Sequence, residues 1–367
     1  MKYLTLDDVC LLNMGQSPDS STYNEVGEGL PFYQGNADFG ERYPQCRIWC
    51  SEPTKIAEKE DVLISVRAPI GALNEAREKC CIGRGLAAIR PKGGLNKDFL
   101  YYFLLSKKSY LISKGTGSTF KAISKNVLRE LTIPVPTLQE QEKQSGILNT
   151  LWRVICKRRT QQAKLDELIK CRFVELFGDQ KMNPYGWPQT TVGNCCILKS
   201  GTSLPADKEN EGGTIPYVKV SDMNYPGNEH YITTSSRFVT EQTAGVGVFP
   251  VGTVIFPKRG GAIGTNKKRL TKLPICADLN VMGVIAGSNL ASQYLMAYFD
   301  MIDLGALDNG SSVPQINNKD IAPLPICTPP IELQEQFAAF VEKADKFKFA
   351  CFFFQLITVL QKTVSYT

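Results

Sequence analysis

The sequence predicts two copies of one module of short strands and short helices, each copy closed by a long helix, and three observations carry that prediction. The first is a proline-free run from Leu138 to Gly178 in which Leu148, Leu151, Ile155, Leu165, Ile169 and Leu176 recur at steps of three and four, the spacing of a coiled-coil-like seam. The second is the return of its opening letters, L-Q-E-Q, at Leu333 to Gln336, after a proline-rich lead-in like the one at Pro134 and Pro136. The third is a set of motifs that appears twice in the same order, with corresponding landmarks 186 to 195 residues apart.

The first helix is bounded by Pro134 and Pro136 before it and by Gly178 and Pro184 after it. Its 41 residues make a rod of roughly 60 Å. Arg158, Gln162 and Arg172 share the apolar stripe, and polar seam residues fix register at a cost in stability. The expected mate is the second helix, whose seam runs through Leu333, Phe337, Phe340, Ala344, Phe347, Cys351 and Phe354. The expected division is residues 1–136 and 181–328 for the two modules, with 137–180 and 329–367 for the two helices.

In chain order, T-L-D-D-V-C-L-L-N-M-G-Q-S (Thr5 to Ser17) answers T-V-G-N-C-C-I-L-K-S-G-T-S (Thr191 to Ser203), each a short strand ending at a glycine turn. Proline-led strands follow at Leu30 to Asn36 and at Ile215 to Asp222. Next, D-V-L-I-S-V-R-A-P-I-G and T-V-I-F-P-K-R-G-G-A-I-G each deliver an arginine, Arg67 or Arg259, from a buried strand into a tight turn. Aromatic short helices are expected near Phe99 to Leu105 and Tyr294 to Asp300. The segments Gly117 to Leu128 and Gly310 to Ile321 then lead to the two proline-rich exits. The intervals Ala37 to Glu60 and Met223 to Gly252 differ most, as expected of one framework serving two targets.

A chain of 367 residues is long enough for two substantial cores. No run reaches membrane-spanning length, since Lys348 and Gln355 break the apolar stretch Phe347 to Leu360, and no hydrophobic leader opens the chain, so a cytoplasmic protein is expected. The twelve cysteines read as reduced thiols. Cys46, Cys50, Cys80 and Cys81 match no usual zinc spacing, and no metal is expected. The net charge of +6 lies in the first module and first helix; residues 181–328 are nearly balanced, so an anion-binding face there must come from local clustering.

With these landmarks in place, the chain resembles the specificity subunit of a type I restriction-modification system. The resemblance covers nearly the whole chain and rests on P-Y-V-K-V-S-D (Pro216 to Asp222), K-R-G-G-A-I-G (Lys258 to Gly264), G-S-S-V-P-Q-I-N (Gly310 to Asn317) and the paired L-Q-E-Q helices. It implies an α/β fold: two pseudo-symmetric mixed α/β target-recognition domains separated by two long antiparallel helices that form a coiled-coil-like spacer. It also implies a non-catalytic reader of double-stranded DNA with a bipartite site. Modification (methyltransferase) subunits and a restriction (translocase/nuclease) subunit are the implied partners, with S-adenosylmethionine, ATP and Mg on those partners and none in this chain. One departure is the stretch Cys351 to Thr367, which is richer in aromatic and β-branched residues than the first helix and lacks a counterpart to V-E-L-F-G-D.

Catalysis by the chain itself finds no support in its motifs. His230 is the only histidine and has no partner base or nucleophile motif, N-P-Y-G (Asn183 to Gly186) reads as a turn, and no G-x-x-x-x-G-K is present. DNA reading needs cations for phosphates and donors or acceptors for base edges. Lys258, Arg259, Lys267, Lys268 and Arg269 form a basic cluster around glycines in the second module, and Arg67, Arg84 and Lys121 answer them in the first. Candidates for base contact are Gln34, Asn36, Ser118 and Thr119 in the first module and Lys219, Ser221, Gln315 and Asn317 in the second; such side chains also tie turns. Tyr33 and Tyr217 are expected to pack within strands. Lys157, Arg158 and Arg159 are either a solvated face or a track for the unread central DNA. A fused methyltransferase or nuclease, and a scaffold that binds no DNA, remain the alternatives.

Overall fold

A computed structural model describes residues 2–117, 121–307 and 313–364, with side chains of the last helix described as far as Lys348. The chain divides into two compact units, Met1–Cys156 and Lys157–Thr367. The division falls inside one uninterrupted helix, Leu138–Phe177, rather than at its ends.

In the first unit, Lys2–Thr5 pairs antiparallel with Thr132–Val135, so the strand that opens the unit lies beside the one that leaves it. A four-stranded antiparallel sheet follows in the order Cys10–Met14, Leu86–Pro91, Val62–Ser65, Leu73–Glu75. A second sheet carries Leu30–Tyr33 parallel to Cys80–Ile82. The helix Lys97–Ser106, capped by the Asn96 side chain, buries Leu100 and Leu104 in the core formed by Leu6, Ile64, Ile89 and Ile133. Each such apolar side chain contributes about 1.5–3 kcal/mol on leaving water.

The second unit repeats this wiring. Gln189–Thr191 pairs with Pro325–Cys327. The central order is Cys196–Ser200, Val281–Ala286, Val254–Pro257, Arg269–Thr271, and Ile215–Val218 runs parallel to Cys276–Ala277. Even the close approaches coincide. A Cβ on Gly15 would lie 2.1 Å from the Gly83 carbonyl oxygen, and one on Gly201 would lie 2.0 Å from that of Asp278, so only glycine fits at either turn. The units differ between these landmarks: Tyr231–Ile232 adds an edge strand to the second central sheet, whereas Trp49–Cys50 and Ile56–Ala57 extend the sheet of the first unit that carries Leu30–Tyr33. Tyr33 and Tyr217 are buried in their strands. Among the described residues no disulfide forms, no group of side chains is arranged to hold a metal ion, and no helix is long and apolar enough to cross a membrane.

Two expectations about the long helices need correction. The matching letters L-Q-E-Q are not matching positions. Gln141, the last letter of the first copy, makes the contacts that Gln334, the second letter of the other copy, makes in its own unit. The helices begin at Leu138 and Ile331, so the structural offset is 193 residues and not 195. The expected single seam is also broken, because Leu148 and Ile155 are exposed while Gln141 and Ser145 are buried against the first unit. Further along, Phe173 and Phe177 join Ile169 and Leu176 in the core of the second unit. A helix that serves two successive surfaces has no reason to keep one stripe.

Within the second unit the two helices run in opposite directions. Phe337, near the start of the second helix, packs on Phe173 and Phe177, with ring centroids 5.5 and 5.6 Å apart. Farther along, Lys348 reaches back to Asp166 at 2.7 Å. Phe337, Val341 and Ala344 are buried, whereas of the expected seam residues Phe340 is only half-buried and Phe347 is exposed. Cys351 and Phe354 lie outside the described side chains. Arg158 is buried, and its three guanidinium nitrogens have no hydrogen-bond partner among the described residues.

Candidate nucleic-acid interface

In each unit the fully buried strand Val62–Ser65 or Val254–Pro257 ends two residues before an exposed arginine, Arg67 or Arg259. The chain that returns later pairs with that arginine through its backbone: Arg67 bridges to Ala122 and Arg259 to Gln315. Ile123 N–H donates to Val66 O at 2.9 Å, and Ile316 N–H donates to Lys258 O at 2.9 Å. The same construction thus holds a cation at the same corner twice.

A turn beside that corner is also duplicated. A buried carboxylate closes it after each proline-led strand: Asp38 accepts from Gln34 N–H, and Asp222 from Lys219 N–H, both at 2.8 Å. The aspartates were missed in the sequence, although they lie five and four residues past the strand ends at Tyr33 and Val218 and acidic side chains favour such turns.

In the first unit these turns enclose an open cleft of about 420 Å³ that brings together Gln34, Asn36, Arg67 and Arg84, with Ser17 and Ser65 on its wall. Gly85 permits the close packing that shapes it, since a Cβ there would lie 2.6 Å from Gln34 O. Gln34, Arg67 and Arg84 are exposed, and neither arginine has an ion-pair partner among the described residues. Lys121 is exposed one residue from the Arg67 bridge, and its carbonyl accepts from Ala68 N–H at 3.1 Å. Ser118 and Thr119 lie outside the described residues.

The second unit spends more of its polar groups internally. Lys219 Nζ donates to both oxygens of Glu209, at 2.7 and 2.6 Å, a neutralising partner that the sequence reading missed. Gln315 Nε2 donates to Asn317 Oδ1 at 2.8 Å, and Asn317 caps the turn Asn318–Ile321 with its N–H on Asp320. Lys258 Nζ donates to Ser200 Oγ at 2.8 Å, and burial, aided by the charge of Arg259, lowers its pKa. Ser221 and Arg259 are exposed. Lys267 is half-buried and donates to Asn224 Oδ1.

Lys268 and Arg269 leave the candidate set. Lys268 is 4% exposed, donates to Ile302 O at 2.6 Å and to Asn266 Oδ1 at 2.8 Å, and has its pKa pushed down to about 8 by burial. Arg269 gives its donors to the carbonyls of Asn228, Lys268 and Met223. Both line a cavity of about 630 Å³ inside the second unit, alongside the exposed His230 and the helix residues Phe173 and Phe337. A basic run cut by a strand turns part of its charge inward.

These turns can hold anions with exposed guanidinium groups and offer amide and hydroxyl groups at the same edge. A family model described as the type I restriction modification DNA specificity domain matches residues 1–165 and 184–351. The putative type I restriction enzyme MjaX specificity subunit of Methanocaldococcus jannaschii is 42% identical over 158 residues, 43% of this chain and 37% of that protein. The MjaIX specificity subunit of the same organism is 25% identical over 313 residues, covering 78% of this chain and 71% of that one. The chain therefore spans under two fifths of the first relative's length. The crystal structure of a type I restriction-modification S subunit from M. genitalium covers 99% of this chain and 94% of its own, with a TM-score of 0.59 at 16% identity, a likeness of fold alone.

Proposed function

The chain belongs to the type I restriction-modification DNA specificity family, and from that premise we propose that it is a DNA reader in which each unit contacts one half of a bipartite site. The observation that carries this reading is the duplicated corner. An arginine is held on the same backbone bridge in both units, while the side chains around it differ: Gln34, Asn36 and Arg84 in one, Lys219, Ser221, Gln315 and Asn317 in the other. A common frame with different polar groups suits two different base sequences.

Arg67, Arg84 and Lys121 in the first unit, and Arg259, Lys258 and Lys267 in the second, contact phosphate or bases. If all six neutralise phosphates, log affinity falls with log salt at a slope of roughly −5. The long helices set the gap between half-sites and dock methyltransferase subunits; a restriction subunit, with ATP and Mg, joins that assembly, and S-adenosylmethionine is held by the methyltransferase partners. The chain itself contributes recognition and no chemistry, in the cytoplasm. Methylation mapping of DNA from cells with and without the chain tests this. A split motif that vanishes with the chain is expected, and unchanged methylation or a continuous motif contradicts the reading.

A further inference from the structure

Two glutamines, one at the root of each long helix, make the same set of bonds. Gln141 is fully buried. Its Oε1 accepts from Asn96 N–H at 2.8 Å, and its Nε2 donates to Gly94 O at 3.0 Å and to Pro136 O at 2.9 Å. Gln334 is fully buried as well. Its Oε1 accepts from Ala291 N–H at 2.8 Å, and its Nε2 donates to Asn289 O at 3.1 Å and Pro329 O at 2.7 Å. Asn96 and Ala291 are the N-cap residues of the short helices Lys97–Ser106 and Ser292–Asp300. One planar amide therefore joins three backbone points: the exit loop before the long helix, the loop before the short helix, and that short helix's first free N–H.

We infer that Gln141 and Gln334 are positioning residues that fix the angle at which each recognition unit is mounted on its long helix, and so the gap length that the protein accepts. This rests on the bipartite-site reading given above. A helix of 40 residues extends about 60 Å, and base pairs are spaced about 3.4 Å apart. A tilt of about 3° at the root therefore carries the far end through one base-pair step. Packing of apolar side chains is non-directional and tolerates such a tilt. Three hydrogen bonds from one rigid amide do not, because the donor and acceptor directions are fixed at once.

The test uses the full chain with whatever partners DNA binding requires, and duplexes carrying the methylation-mapped site with its gap shortened or lengthened by one and two base pairs. For the unaltered protein, one added or removed base pair is expected to weaken binding by ~30-fold or more, about 2 kcal/mol. In Gln141→Met, Gln334→Met and the double variant, binding at the native gap is expected to stay within ~5-fold while the penalty for a one-base-pair change falls below ~5-fold. Gln141→Glu and Gln334→Glu, which keep the acceptor but lose donation to the carbonyls, are run in parallel in case methionine prevents folding. A flattened gap profile in the variants that circular dichroism shows to be folded supports the inference. A profile as sharp as that of the unaltered protein, or an equal loss at every gap, overturns it. If the unaltered protein is itself indifferent to the gap, the bipartite reading fails instead.

Discussion

Replacing Arg67 or Arg259 by alanine separates the two units most cleanly. Both side chains are exposed and project from backbone bridges, so neither change removes a packed group, and each is expected to alter stability by no more than about 0.5 kcal/mol. In the complex the cost is larger. A charge-assisted contact to a phosphate or a guanine edge is worth about 1–3 kcal/mol, which is roughly 5- to 150-fold in affinity. Competition binding against duplexes with one half-site scrambled gives a double-mutant cycle for each arginine. The loss caused by Arg67→Ala should persist when one half is scrambled and shrink to within about 2-fold when the other is, and Arg259→Ala should show the opposite dependence. If both losses follow the same half-site, or neither follows either, the assignment of one unit to one half is wrong.

Lys268 supplies a pH-dependent prediction. Its folded pKa of about 8 lies below the ordinary 10.5, so the folded state pays to keep it charged, by order of 3 kcal/mol at neutral pH. Below pH 8 it is protonated in both states and the full penalty applies. Between pH 8 and 10.5 the unfolded chain binds the extra proton, so this penalty fades as pH rises. Lys268→Met should therefore raise stability by about 1–3 kcal/mol at pH 7 once the lost bonds to Ile302 and Asn266 are deducted, and the gain should shrink by pH 10 in denaturant titrations. A gain independent of pH would contradict this. Arg158→Leu removes a buried cation that has no hydrogen-bond partner among the described residues and should raise the melting temperature, with about 1–3 kcal/mol regained. A lower melting temperature would show that the guanidinium is satisfied in the assembled protein.

The repeat was legible because it is written in features that a strand cannot do without. Gly15 and Gly201 sit where no Cβ fits, and the fully buried strands at Val62 and Val254 each end before an arginine. The helix register was not legible, since L-Q-E-Q is only a string of letters until the partner of each glutamine is known. Gln141 and Gln334 are equivalent because both meet a backbone N–H and two carbonyls, and two of those partners of Gln141, the Asn96 N–H and the Gly94 carbonyl, lie 45 and 47 residues away in the sequence. The pair Lys268 and Arg269 was misjudged for a related reason: charge is visible in sequence, whereas the carbonyls of Ile302 and Met223 that absorb it are not. Lys219 likewise shows its charge but not Glu209. The duplicated framework was therefore readable, and the share of each polar group consumed inside the fold was not.

Binding of the unaltered protein across a series of duplexes that differ only in the length of the unread gap tests the central claim most directly. A single sharp optimum, lost when either half-site is scrambled, is the result expected of two reading units held at one separation. Equal affinity at every gap length would contradict it.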